Sequence, residues 1–115
     1  MNERYFYIWR NHIGRTCFGI ANNAEQRKRT YEGHNGFEVN WLRLYKGPAA
    51  HIEDLEYNVK LEFTEHLFCT FGGKYEWVNQ DIATDQVIGW IEYEIANKYN
   101  KIIQPVEIVN SLSKP

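Results

Sequence analysis

The chain has 115 residues and a formal charge of −2, enough for one unstapled core and too little positive charge to coat nucleic acid non-specifically. Hydrophobic residues make up 43% and charged residues 24%, an ordinary globular balance, while the 16% of aromatic residues suits either a compact core or a stacking surface. No stretch approaches the roughly 18 apolar residues of a membrane span, and the start MNERYFYIWR lacks a signal-peptide run, so the expectation is a cytoplasmic protein with no membrane partner. Cys17 and Cys69 set neither a disulfide framework nor a zinc spacing and read as reduced core thiols.

Residues 4–10, rich in Tyr, Phe, Ile and Trp, have the composition of a strand. Asn11, His12 and Gly14 supply turn chemistry, and Thr16–Ile20 is a second strand, giving an N-terminal hairpin. Asn22 or Asn23 caps a helix over about 24–32, with Glu25 and Gln26 in its first turn and Gly33, Asn35 and Gly36 at its end. Phe37–Tyr45 reads as a third strand closed by Lys46-Gly47-Pro48. Pro48 stands just ahead of a helix from Ala49 to about Phe63. Gly72-Gly73 marks a turn and Tyr75–Val78 a short strand. A last helix opens at Asp81 or Thr84 and runs to about Tyr99, with Val87, Ile88, Ile91 and Ile95 on one face. Residues 102–115 read as a tail, extended or mobile, behind a domain over 1–101. The order predicts an α+β fold: a small three-stranded antiparallel sheet flanked by helices, a β-β-α-β-α core with a C-terminal strand and helix.

The 49–63 helix carries the sharpest physical signal. At roughly 100° per residue, Ile52, Leu55, Val59 and Phe63 form one apolar stripe, and Glu56 falls roughly 40° from Ile52, beside that stripe. A carboxylate aimed along a core face costs desolvation unless something receives it. Either Glu56 reaches water and pairs with Lys60 at i+4, or it is available to a divalent metal or as a base. Glu53, near the boundary of the stripe, is the alternative ligand.

With these elements in place, the N-terminal hairpin resembles the GIY-YIG nuclease domain. That family opens with a strand of the form G-I-Y-x-I-x-N, and Tyr5-Phe6-Tyr7-Ile8-Trp9-Arg10-Asn11 keeps the Tyr at Tyr7 and the Asn at Asn11. Its second strand reads Y-I-G with an Arg eight positions after the Gly; Cys17-Phe18-Gly19 leads to Arg27 at that offset. The family's metal-binding Glu, typically E-x-x-(apolar)-K, matches Glu56-Tyr57-Asn58-Val59-Lys60. Gly73-Lys74-Tyr75-Glu76-Trp77 looks like a G-x-x-E-W segment of the short phage-type branch. The resemblance spans about residues 5–78. Two positions depart from it: Tyr5 replaces the first Gly of GIY, and Cys17 replaces the Tyr of YIG. The His or Tyr often found four residues after the Arg is Tyr31.

The resemblance implies metal-dependent hydrolysis of DNA phosphodiester bonds, of phage or mobile-element type. Tyr7, Arg27, Glu56 and Tyr31 would be the catalytic residues. Glu56 would hold one Mg²⁺ or Mn²⁺, and Arg27 would offset charge on the phosphate. Tyr7 would activate or orient water, supplemented by Tyr31 or His34. Lys28, Arg29, Lys60 and His34 would contact nucleic acid. The partner would be DNA, with a homo-oligomer possible, since a chain of this length leaves no room for a separate targeting domain. The residues alone also allow Tyr7 as a core strand aromatic and Arg27-Lys28-Arg29 as a solvated basic helix face. The loss of the phenol at position 17 keeps open a second reading: a module that binds DNA or a protein partner without cutting.

Overall fold

The computed structural model describes residues 2–69, 75–78 and 81–108. It is an α+β fold in which six strands form one antiparallel sheet. In chain order these are β1 (Glu3–Arg10), β2 (Thr16–Ala21), α1 (Ala24–Asn35), β3 (Trp41–Pro48), α2 (Ala49–Glu62), a 3₁₀ turn (Thr64–His66), β4 (Leu67–Cys69), β5 (Tyr75–Val78), α3 (Thr84–Lys98) and β6 (Gln104–Pro105). The spatial order is β4-β5-β2-β1-β3-β6. The expected three strands are therefore the centre of a wider sheet. Leu67–Cys69 and Gln104–Pro105 are too short to show alternation in the sequence and are strands because an edge was free to pair. Among the described residues, no helix is long and apolar enough to cross a membrane.

The β1–β2 turn is built by Asn11. Its side-chain oxygen accepts from the backbone amides of Ile13 at 3.2 Å and Arg15 at 2.9 Å, and its own amide bonds to the Arg15 carbonyl at 2.9 Å. The motif Asn is thus a turn organiser, an Asx device of ordinary physical kind. Asn23 caps α1, accepting from the Gln26 amide at 3.0 Å. The helix runs through Gly33 to Asn35 and stops at Gly36, whose φ of 73° is the left-handed conformation that suits glycine.

The third strand is displaced from its expected place. Phe37 is half exposed and stacks on His12, and the Val39 amide is taken by the Glu32 carboxylate at 2.7 Å. That bond diverts the segment from a ladder, so the strand begins at Trp41 and continues through Gly47 to Pro48. Pro48 sits opposite Glu3 at the strand's last position, where a missing N–H is tolerated. The expected turn at Gly72-Gly73 lies outside the described residues.

Alternation along β1 divides the interior into two cores. Phe6 and Ile8 point to one face with Phe18, where Ile52, Leu55 and Val59 of α2 and Val87, Ile88, Ile91 and Ile95 of α3 cover them. The α2 stripe is as the spacing predicts, with Ile52, Leu55 and Val59 wholly buried, each such side chain stabilising by about 1.5–3 kcal/mol. Tyr7, Trp9 and Cys17 point to the other face with Ala24, Val39, Trp41 and Leu44. Residues 103–108 pack against the sheet: Ile103 is buried, the Val106 amide bonds to the Leu44 carbonyl at 2.8 Å, and Val106 and Ile108 pack on the second core.

Two phenols lock α2 and α3 in place. Tyr45 donates to Glu92 at 2.8 Å; burial first, and then that carboxylate, push its phenol well above the ordinary range. Tyr99 donates to Asp54 and is pushed up by burial and by that bond. Both phenols therefore ionise later in the folded chain than in the unfolded one. Their contribution to stability is whole below the unfolded pKa of about 10 and is lost as pH rises from there through the folded values. Urea unfolding midpoints should accordingly be level from pH 8 to about 10 and fall above it, and the Tyr45→Phe, Tyr99→Phe double variant should show a shallower fall.

Candidate active site

Residue 7 points to the α1 side of the sheet because β1 alternates, and its register pairs it with Gly19 on β2. The absence of a side chain there is required. A Cβ at position 19 would lie 2.4 Å from the Tyr7 hydroxyl and 2.8 Å from Cζ, so the phenol occupies the space over that glycine. On its other side the ring stacks on Trp41, with centroids 4.5 Å apart.

Across Gly19 the Tyr7 hydroxyl meets two groups from α1. It lies 2.6 Å from the Tyr31 hydroxyl, and Arg27 Nη1 donates to it at 3.1 Å. Arg27 and Tyr31 are four residues apart, hence neighbours on one helix face. Tyr31 packs edge-on to Tyr7 and against Trp9, at centroid distances of 5.9 and 5.0 Å. Desolvation pulls the Arg27 guanidinium down, but its charge interactions and hydrogen bonds with Tyr7 and Tyr31 outweigh that, and the net direction is up. The guanidinium is therefore a fixed cation held against two phenolic oxygens.

Tyr7 is wholly buried, whereas Arg27 and Tyr31 are half-buried and carry the cluster toward the surface. Arg27 borders a hollow of about 390 Å³ together with Arg4, Asn22, Asn23, Gln26 and Thr30. Position 17 carries no phenol, and the phenol beside Tyr7 comes from α1. Cys17 is buried in the second core, and the Cys69 side chain lies outside the described residues.

The basic run 27–29 is not a uniformly solvated face. Only Arg29 is exposed, and Lys28 is buried. The His34 side chain lies outside the described residues. Glu56 sits on α2, which packs on the opposite face from Tyr7; its side chain is 19% exposed and pairs with Lys60 at 3.7 Å. Glu53 pairs with Arg4 at 3.2 Å. Because Arg4 also lines the Arg27 hollow, it links the acidic side of α2 to the α1 side of the sheet. Arg4 stands near the start of a strand and carries no motif, so its role has no signal in the sequence.

Only Thr16 and Cys17 pair with β5, so among the described residues the outer edge of Phe18–Ala21 carries no strand. Among the described residues, no three His, Cys, Asp or Glu side chains gather as a ready-made metal cluster. No family model, curated protein or solved structure matches the chain.

Gly19→Ala is the direct test of this geometry. The Tyr7 ring cannot move away, being held by Trp41, Tyr31 and Arg27, so the variant should lose about 1–3 kcal/mol in urea unfolding. Combined with Tyr7→Leu, the two losses should fall short of additive, because one removes the atoms the other strikes.

Proposed function

We propose that the protein is a GIY-YIG-like, metal-dependent endonuclease of phage or mobile-element type that hydrolyses DNA phosphodiester bonds in the cytoplasm. The observation that carries this reading is the Tyr7–Tyr31–Arg27 cluster beside a hollow lined by two arginines. Charge develops on the non-bridging oxygens in phosphoryl transfer, and a preorganised guanidinium is suited to meet it. Arg27 is preorganised, since its orientation is set by two phenolic oxygens before any substrate arrives.

The burial of Tyr7 divides the phenolic work. With no exposed surface, Tyr7 acts as a positioning residue, and Tyr31 is the phenol that would orient the attacking water. Arg4 would add a second positive charge on the far wall of the hollow.

Glu56 fits a single-carboxylate magnesium or manganese site. Its carboxylate keeps some exposure, and Mg²⁺ commonly takes one or two protein oxygens and fills its remaining positions with water. Bound there, the ion would supply positive charge for a leaving oxygen. Lys60 pairs with the carboxylate at 3.7 Å, and a bound cation would take its place. One observation favours the alternative, a module that binds DNA or a protein partner without cutting: that same Lys60 pair satisfies Glu56 with no metal.

A plasmid-nicking assay separates the two. Wild type should relax supercoiled DNA with Mg²⁺ or Mn²⁺; Arg27→Ala and Tyr31→Phe should each slow it by about 100-fold. Glu56→Ala should remove metal-dependent cutting. Intact supercoiled DNA with either metal would end the nuclease reading in favour of the non-cutting module, and full activity in Glu56→Ala would end the metal-ligand assignment.

A further inference from the structure

On the other side of the α1 N-terminus lies a second hollow, of about 560 Å³, between that helix end, Trp41 and the Val106–Ile108 segment. Lys28 lines it and is only 7% exposed. Among the described residues it forms no ion pair and no hydrogen bond. The Lys28 ammonium is not among the fully enclosed polar atoms, and the residue borders the hollow. A lysine usually buries its stem and puts its head in bulk water. Here the head meets a recess instead, and a desolvated cation without a partner favours any anion that enters.

Backbone donors face the same recess. The Asn23 side chain takes the Gln26 amide at 3.0 Å and the Asn23 carbonyl takes the Arg27 amide at 3.1 Å. The amides of Ala24 and Glu25, which border the hollow, are left without an acceptor among the described residues. They carry the positive end of a 12-residue helix, where phosphates bind readily. The carboxylates of Glu25 and Glu107 also border the recess, but both residues are exposed and neither pairs with Lys28. Asn22 and Asn23 line this hollow and the Arg27 hollow alike, so the two recesses stand on either side of one helix cap.

We infer that the second hollow binds a phosphate group, with Lys28 as counter-ion and the Ala24 and Glu25 amides as donors, and that this is a phosphate adjoining the one at Arg27 on the same nucleic-acid strand. The assignment to a strand rests on the nuclease reading; the phosphate site does not. Its role is to fix where the strand lies, since phosphate contacts position a nucleic acid without reading its sequence.

The test is binding to the whole chain in EDTA, where nothing is cut. Inorganic phosphate should shift the amide resonances of Ala24, Glu25 and Lys28 in the wild type. Lys28→Met, which keeps the stem, should weaken phosphate at least tenfold, and Lys28→Arg should retain it. For a twelve-nucleotide single strand, Lys28→Met should lower the slope of log K against log salt by about 0.7, one phosphate contact. Unmoved amides in the wild type, which needs no variant to fold, would overturn the site. A Lys28-dependent phosphate shift with an unchanged salt slope would overturn the strand and assign the hollow to free phosphate or a nucleotide. Failure of plasmid nicking with the phosphate shift intact would remove the nuclease reading alone.

Discussion

A phenol lying over a residue with no side chain is the contact on which the α1 face depends. Tyr7 reaches across β2 only because Gly19 is opposite it, and it stays there because Trp41 backs the ring. From that position its hydroxyl sets both Arg27 and Tyr31. A helix whose exposed face is mostly polar has little apolar stripe with which to dock. These hydrogen bonds, with Ala24 and the Lys28 stem, therefore do much of the work of seating α1 on the sheet.

The two faces of the sheet divide stability from chemistry. The α2–α3 face is built of aliphatic stripes and two part-buried phenol–carboxylate bonds, which suits it to rigidity. The α1 face mixes aromatic rings with hydroxyls and cations, and both hollows open beside its helix cap. Arg4 crosses between them, bonded to Glu53 on one side while lining a hollow on the other.

Much of this was legible in the residues, and the failures have causes. The α2 stripe and the α3 face follow from helical periodicity, which tertiary packing did not override. Asn11 and Asn23 could be placed because turn and cap chemistry is local. Phe37–Asn40 could not, because what removes it from the ladder is a carboxylate on α1, a contact no window of sequence contains. The basic run allows Lys28 to be solvated or to contact nucleic acid; its burial is not visible there, and it shares a recess with the Val106–Ile108 segment, some 80 positions later in the numbering. The pairing of Tyr7 with Tyr31 has the same character: the four-residue offset from Arg27 places Tyr31 on the right helix face, but only the register over Gly19 brings the hydroxyls together.

The distances along the chain carry one last consequence, for the order in which the molecule assembles. Tyr7 is 24 positions from Tyr31 and 20 from Arg27, whereas the bonds that bring α3 to the hairpin, from Arg10 and Thr16 to Thr84, span 74 and 68. Loop closure disfavours the longer pairings, and contacts of high sequence separation slow folding. The hairpin and α1 can therefore meet early, with α3 closing the opposite face afterwards. The cluster that gives the protein its proposed chemistry belongs to the portion of the chain that finds its native neighbours first.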